Sequence, residues 1–120
     1  MKDNDLYSLL SSLVSTCSVS GSERGIVDFL DRELTRLGFS TERMESGSIC
    51  GVLCGDRPGP TVLLDAHIDT VSVPDKSKWN HDPFSLTRDG GRLYGRGTSD
   101  MKGGLAAIIK GASEFVGRSF

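Results

Sequence analysis

The sequence has no long apolar run, no excess of basic residues and no apolar leader, and each absence excludes a class of protein. No stretch approaches the roughly 20 apolar residues that cross a bilayer, so we expect no membrane span. The formal net charge of −2 offers no concentrated basic face for nucleic acid or an anionic membrane. The first five residues are too polar and acidic to begin a secretion signal. We therefore expect one cytoplasmic domain over residues 1–120.

Cysteine is also scarce, with three residues at Cys17, Cys50 and Cys54. An odd count without a secretion signal predicts reduced thiols and not a disulfide framework. Cys50 and Cys54 lie four apart in a β-like run, which would separate them by about 13 Å, too far for a bridge. We expect buried, inert thiols.

Several enzyme motifs are missing too. Gly95 and Gly97 lack the third glycine and the preceding strand of a dinucleotide site. The sequence also contains no GxSxG serine elbow and no phosphate-binding lysine loop.

Apolar residues at helical spacing predict three helices. The first covers residues 4–16, and the last covers residues 102–116, where small residues favour close packing. The middle helix ends at Gly38. Before it, Ser20 precedes Glu23 by three residues, as in a capping box.

Four shorter segments predict strands. Residues 39–44 and 48–54 flank a glycine-containing turn, and residues 85–88 and 92–94 flank a second one. Residues 61–66 form a continuous apolar run, which is typical of an interior strand. Helices that flank strands in this order predict a layered α/β domain.

Glycine is abundant, at 15 of 120 residues. The glycines cluster in pairs at 90–91, 95/97 and 103–104, which indicates tight turns around one place. His67 and Asp69 end the apolar run, where ligands of open α/β sheets gather. Imidazole is a common zinc ligand, and a nearby carboxylate can orient it. Taken alone, His67-x-Asp69 is a weak signal that favours a polar strand end over a metal site.

Asp100 lies just before the last helix, with glycine pairs on either side. It could be a helix N-cap. A cap needs no clearing of neighbouring side chains, whereas a carboxylate that bridges two metal ions beside a tight backbone does.

Together the two segments, LLDAHIDTV and YGRGTSDMKGG, resemble the signatures of the zinc co-catalytic amidohydrolases and exopeptidases. That family includes acetylornithine deacetylase, succinyl-diaminopimelate desuccinylase, aminoacylase and glutamate carboxypeptidase. Trp79, Pro83 and Phe84 match a further family feature between the two signatures. The resemblance covers essentially the whole chain.

The resemblance implies an α/β, layered helix–sheet–helix catalytic domain of the zinc-exopeptidase type, truncated and without its lid domain. His67 would be a zinc ligand, Asp69 the catalytic-site carboxylate that orients it, and Asp100 the bridge between two zinc ions. Cobalt or manganese are expected substitutes. The peptide bond after Asp100 is expected to be cis. The general-base glutamate and the remaining ligands of the family have no counterpart in these residues.

The implied activity is hydrolysis of an amide bond in an N-acyl amino acid or small peptide, by an enzyme that is a homodimer at full length. Partners would be small molecules and neither nucleic acid nor membrane. An alternative is a non-catalytic fragment, or an interaction subunit that a partner completes. We expect the 120-residue chain to be inactive alone, and to aggregate or dimerise through its open sheet. A lactamase-like two-metal enzyme needs denser histidine clusters than two histidines supply.

Other polar and aromatic residues near the signatures receive minor roles. We expect His81 to be solvated, and Trp79 and Phe84 to hold in place the long loop that joins the two signatures. Lys102 and Arg96 could face substrate carboxylates, although Arg96 could equally brace the loop.

Overall fold

The computed structural model describes the backbone of residues 3–120 and the side-chain environments of residues 5–120. It contains three α-helices: α1 (Asp3–Ser15), α2 (Arg24–Leu37) and α3 (Gly103–Ser113). Their apolar stripes form one core, and α1 packs directly on α3. The fully buried members of this core are Leu13, Val14, Ile26 and Ala106. In the described part of the chain, no helix combines the length and the apolar character needed to cross a membrane.

The two ends of α2 differ in how well the sequence predicted them. Gly38 follows the helix in the left-handed conformation, and its N–H bonds to carbonyls of the last turn, as expected. The predicted capping box is wrong. Glu23 is the N-cap and makes no side-chain capping bond. Its carboxylate accepts a hydrogen bond from the Gly21 N–H instead, at 2.6 Å.

The predicted hairpins are confirmed; the last strand has the predicted bounds and the other three are shorter. β1 (Ser40–Arg43) pairs antiparallel with β2 (Ile49–Val52), and β3 (Thr87–Asp89) pairs antiparallel with β4 (Arg92–Tyr94). The second hairpin turns at residues 90–91, both with positive φ. A two-residue turn of this kind requires such dihedrals, which explains the glycine pair.

The predicted interior strand at residues 61–66 is wrong for the described structure. These residues belong to neither sheet. Val62, Leu63 and Leu64 leave 75, 82 and 55% of their surface exposed. A strand needs a partner backbone to hydrogen-bond with, and residues 3–120 place none beside this run.

All three cysteines are free, as predicted. Their predicted burial is wrong, because Cys17 and Cys54 are exposed and Cys50 is half-buried. Cys17 lies beyond the end of α1, and Cys54 lies beyond the end of β2, so neither faces a packed layer.

Candidate metal centre

The segment that carries His67 and Asp69 is held by the connection between α1 and α2. Val19 and Thr70 form an isolated parallel bridge. The Thr70 N–H donates to Ser18 O at 2.8 Å, and the Ser20 N–H donates to Thr70 O at 3.2 Å. Ser18 and Thr70 are buried, so the backbone that follows Asp69 is held in place by packed neighbours.

Asp100 is presented by a tight turn, Thr98–Lys102, that leads into α3. Gly97 precedes the turn with φ of 82°, and its carbonyl accepts the Lys102 N–H at 2.7 Å. At Gly103, a Cβ would lie 2.4 Å from the Thr98 carbonyl oxygen. The glycines therefore permit close backbone approaches, as their clustering predicted. The peptide bond between Asp100 and Met101 is cis, as predicted.

Asp100 does not cap the helix, because Lys102 occupies the N-cap position of α3. Its Oδ1 instead lies 2.7 Å from His67 Nε2, a contact between residues 33 apart in the chain. The two residues that the sequence singled out separately therefore meet. Their role as metal ligands stays a prediction.

The other ring nitrogen of His67 faces Asp69. Nδ1 lies 3.1 Å from the Asp69 carbonyl oxygen and 3.3 Å from its Oδ1. Asp69 Oδ2 accepts a hydrogen bond from the Ser20 hydroxyl at 2.6 Å. The contacts at Nδ1 thus fix the orientation of the imidazole ring, and Nε2 is directed at Asp100.

Charge and hydrogen bonding shift the protonation of this group. The hydrogen bond that His67 donates to Asp100 raises the pKa of His67, and Asp69 adds to the effect. The hydrogen bond from Ser20 lowers the pKa of Asp69, so that carboxylate stays ionised. A cation at His67 Nε2 would compete with the proton that these carboxylates favour.

Sequence reasoning missed two contributors to this centre. It assigned Ser20 to a helix cap, and it gave Met101 no role, although Met101 Sδ accepts the backbone N–H of His67 at 3.4 Å. No local signal in the sequence identifies either contact, since each depends on the backbone pairing of distant segments.

The donor chemistry of the centre fits a zinc ion. A tetrahedral zinc ion at ordinary bond lengths holds two ligand atoms about 3.4 Å apart. His67 Nε2 and Asp100 Oδ1 would therefore separate by about 0.7 Å to admit it. The Asp100 side chain is 86% exposed, so no packing opposes that movement.

The centre is nevertheless partial. Within residues 5–120, whose side chains the structure describes, no group of three or more histidine, cysteine, aspartate or glutamate side chains could hold a metal ion. A catalytic zinc site ordinarily has three protein ligands. His67 and Asp100 supply two.

Lys102 does not face a substrate site, contrary to one expectation. Its side chain is 2% exposed, and Nζ donates to Leu13 O at 2.6 Å and Thr16 O at 2.8 Å. These carbonyls lie at the C-terminal end of α1, where a cation is favourable. Burial still lowers the pKa of Lys102 to about 8. The lysine therefore ties the Asp100 turn to α1.

Arg96 braces the long loop, which was one of its two predicted roles. Its guanidinium lies 4.7 Å from the ring centre of Trp79 and donates to Ser72 O at 3.3 Å. Lys76 lies similarly over Phe84. The aromatic residues therefore hold the loop, as expected. His81 is half-buried against Tyr94 and not fully solvated, because the loop folds back on β4.

Comparison with known proteins agrees with this arrangement. Residues 63–119 match the profile described as Peptidase family M20/M25/M40. A succinyl-diaminopimelate desuccinylase of Legionella pneumophila is 34% identical over 113 residues, which are 93% of this chain and 30% of that protein. Succinyl-diaminopimelate desuccinylase 1 of a Ruegeria species is 39% identical over 119 residues, which are 97% of this chain and 31% of that protein.

Two solved structures share the fold. An M20 family metallo-carboxypeptidase from Sulfolobus solfataricus superposes with a TM-score of 0.80 at 27% identity, covering 96% of this chain and 28% of that one. Human carnosine dipeptidase 1 gives a TM-score of 0.73 at 25% identity, covering 93% and 28% respectively. The chain thus spans less than a third of the proteins it matches, and the predicted α/β class, truncated, is confirmed. Profile, relatives and fold agree that this chain is similar to proteins of Peptidase family M20/M25/M40.

Proposed function

We propose that this chain supplies part of the metal site of a hydrolase that cleaves an amide bond in an N-acyl amino acid or small peptide. The observation that carries the proposal is the approach of His67 Nε2 to Asp100 Oδ1 at 2.7 Å across 33 residues. An imidazole and a carboxylate at this distance, with the far ring nitrogen already engaged, suit a shared divalent cation.

Each residue of the centre has a distinct role in the proposal. His67 binds the ion through Nε2, while Asp69 holds Nδ1 and fixes the direction of the ring. Asp100 has two carboxylate oxygens on an exposed side chain, which lets it serve two ions. Zinc ions held there would supply Lewis-acid polarisation of the amide carbonyl and a lower pKa for a bound water, and cobalt and manganese are the expected substitutes.

We propose that these residues alone are inactive. With two ligands, His67 and Asp100, from the described side chains of residues 5–120, an ion is held weakly, and no residue there is assigned as the general base. We propose that the missing glutamate, further ligands and a lid domain belong to a longer protein, because the relatives are about three times the length of the match.

For the substrate we propose N-succinyl-diaminopimelate first, since the curated relatives carry the desuccinylase name. Dipeptides are one alternative, because one structural neighbour is a dipeptidase. N-acetylornithine is another, which the sequence resemblance implies. We also propose a cytoplasmic homodimer. Free cysteines support a reducing compartment.

The test is an assay of the longest natural form of the protein with zinc or cobalt. We expect amide hydrolysis of one of the three substrates, abolished by chelator and by His67→Ala. His81→Ala is the matched control, because His81 is the second of the two histidines and its ring packs against Tyr94, which is not a proposed metal ligand. Equal activity of both variants would contradict the proposed site.

A second candidate is a subunit that a partner chain completes. The exposed run Val62–Leu64 favours it, because an unpaired apolar segment invites a second backbone. If a partner completes the site, metal-dependent activity appears only on mixing the two chains. Full activity of one purified polypeptide excludes this candidate.

A further inference from the structure

We propose that Ser20 is a positioning residue of the metal site, acting on His67 through Asp69. This inference rests on the proposed function, since it assumes that His67 binds an ion. Ser20 lies outside both family signatures, in the connection between α1 and α2.

The contacts form a continuous line. The Ser20 hydroxyl donates to Asp69 Oδ2 at 2.6 Å. The other oxygen of that carboxylate, Oδ1, lies 3.3 Å from His67 Nδ1. His67 Nε2 then faces Asp100 at 2.7 Å. With Oδ2 held by the serine, Oδ1 is left directed at the imidazole.

The hydroxyl is placed by backbone and not by a free side chain. The Ser20 N–H donates to Thr70 O, directly after Asp69, and the Thr70 N–H donates to Ser18 O. Because Ser18 and Thr70 are buried, this parallel bridge fixes the relative position of Ser20 and Asp69.

The local sequence offers Ser20 a different partner, which it does not take. It stands three residues before Glu23 in a capping-box arrangement, and a serine cap normally stabilises a helix. The N-terminus of α2 has no side-chain cap. The hydroxyl bonds to a carboxylate 49 residues away instead.

Removing the hydroxyl would leave Asp69 Oδ2 to solvent. The Asp69 side chain is 40% exposed, so it would then rotate among several orientations, and Oδ1 would face the imidazole for only part of the time. The prediction is a weaker metal site in a protein that remains folded.

The experiment titrates the longest natural form of the protein with Co²⁺ alone and follows visible absorption, with zinc competition. Groups that orient a metal-bound histidine typically contribute 10–100-fold in affinity. For Ser20→Ala, one step further out, we expect a loss of about 3–10-fold. Thermal unfolding of the metal-free protein should change little. Ser22→Ala, in the same loop, is the control: Ser22 is exposed, its backbone N–H bonds to Val19 O, and the affinity should not change.

Two further comparisons test whether the hydroxyl itself is required and whether it acts through Asp69. Ser20→Thr keeps the hydroxyl and should keep the affinity of the unsubstituted protein. Ser20→Val has the shape of threonine without the hydroxyl and should lose affinity as Ser20→Ala does. If Ser20 acts through Asp69, Ser20→Ala should have no additional effect in an Asp69→Ala background.

The failures are distinguishable. If the parent binds Co²⁺ no better than His67→Ala does, the proposed function fails and this inference falls with it. If the parent binds and His67→Ala does not, but Ser20→Ala and Ser20→Val match the parent, the role of Ser20 is wrong and the metal site stands.

Discussion

Gly97 provides a sharp test of how the Asp100 turn is built. Its φ is 82°, in the left-handed region. An alanine Cβ there would lie 2.8 Å from Thr70 Cγ2 and 3.2 Å from Lys102 Cδ. Neither neighbour can easily move, because both are buried and Lys102 is also hydrogen-bonded to α1.

The expected cost of Gly97→Ala has two parts. The left-handed backbone costs an alanine about 1–2 kcal/mol. The steric overlap with Thr70 and Lys102 adds about 1–3 kcal/mol, as for other overpacked sites. The free energy of unfolding should therefore fall by about 2–5 kcal/mol.

Gly90→Ala separates the two parts, because Gly90 also has positive φ, 53°, but a Cβ there meets no atom within 4 Å. It should show the backbone cost alone. Gly111→Ala, inside α3 and equally open, should stabilise by about 0.5–1 kcal/mol. Urea denaturation measures all three. If Gly97→Ala is no more destabilising than Gly90→Ala, the packing of Thr70 and Lys102 against this turn is wrong.

Three other predictions address protonation and the core. The pKa of Lys102 is about 8 in the folded chain against an ordinary 10.5. Between these pH values the unfolded chain binds more protons than the folded chain. The free energy of unfolding should therefore rise with pH from about 8 to 10.5, by at most about 3 kcal/mol. Urea denaturation across that range should show this rise, and Lys102→Met should remove it. In the metal-free protein, the pKa of His67 by NMR titration should lie above 6.5 because of Asp100, and Asp100→Asn should bring it down. An unchanged His67 titration in that variant would contradict the contact. Leu13→Ala, at a fully buried position, should cost about 2–5 kcal/mol in urea denaturation; a loss below about 1 kcal/mol would refute a tightly packed core there.

Features decided by neighbouring residues could be predicted from the sequence. The turn at Gly90 follows from the dihedrals a two-residue hairpin needs, and the end of α2 follows from Gly38. The meeting of His67 with Asp100 and the cis bond after Asp100 followed from the family resemblance, since no local rule joins residues 33 apart.

Features decided by distant segments could not be predicted. Ser20 was assigned to a helix cap because its real acceptor is 49 residues away. Lys102 was expected to face substrate because its acceptors, at the end of α1, precede it by 86–89 residues. The run at residues 61–66 has strand composition, but composition does not supply the neighbouring backbone that a ladder requires.

The parallel bridge between Val19 and Thr70 also limits how this domain can vary. Connections between helices usually tolerate insertions. Here one added residue between Ser18 and Ser20 would break the register that both hydrogen bonds to Thr70 require. Among the residues described, the turn at residues 44–48 bonds within itself and its own hairpin, so additions there carry no such restriction. Natural variants of this chain should accordingly differ in length at the first hairpin and keep a constant length at the α1–α2 connection.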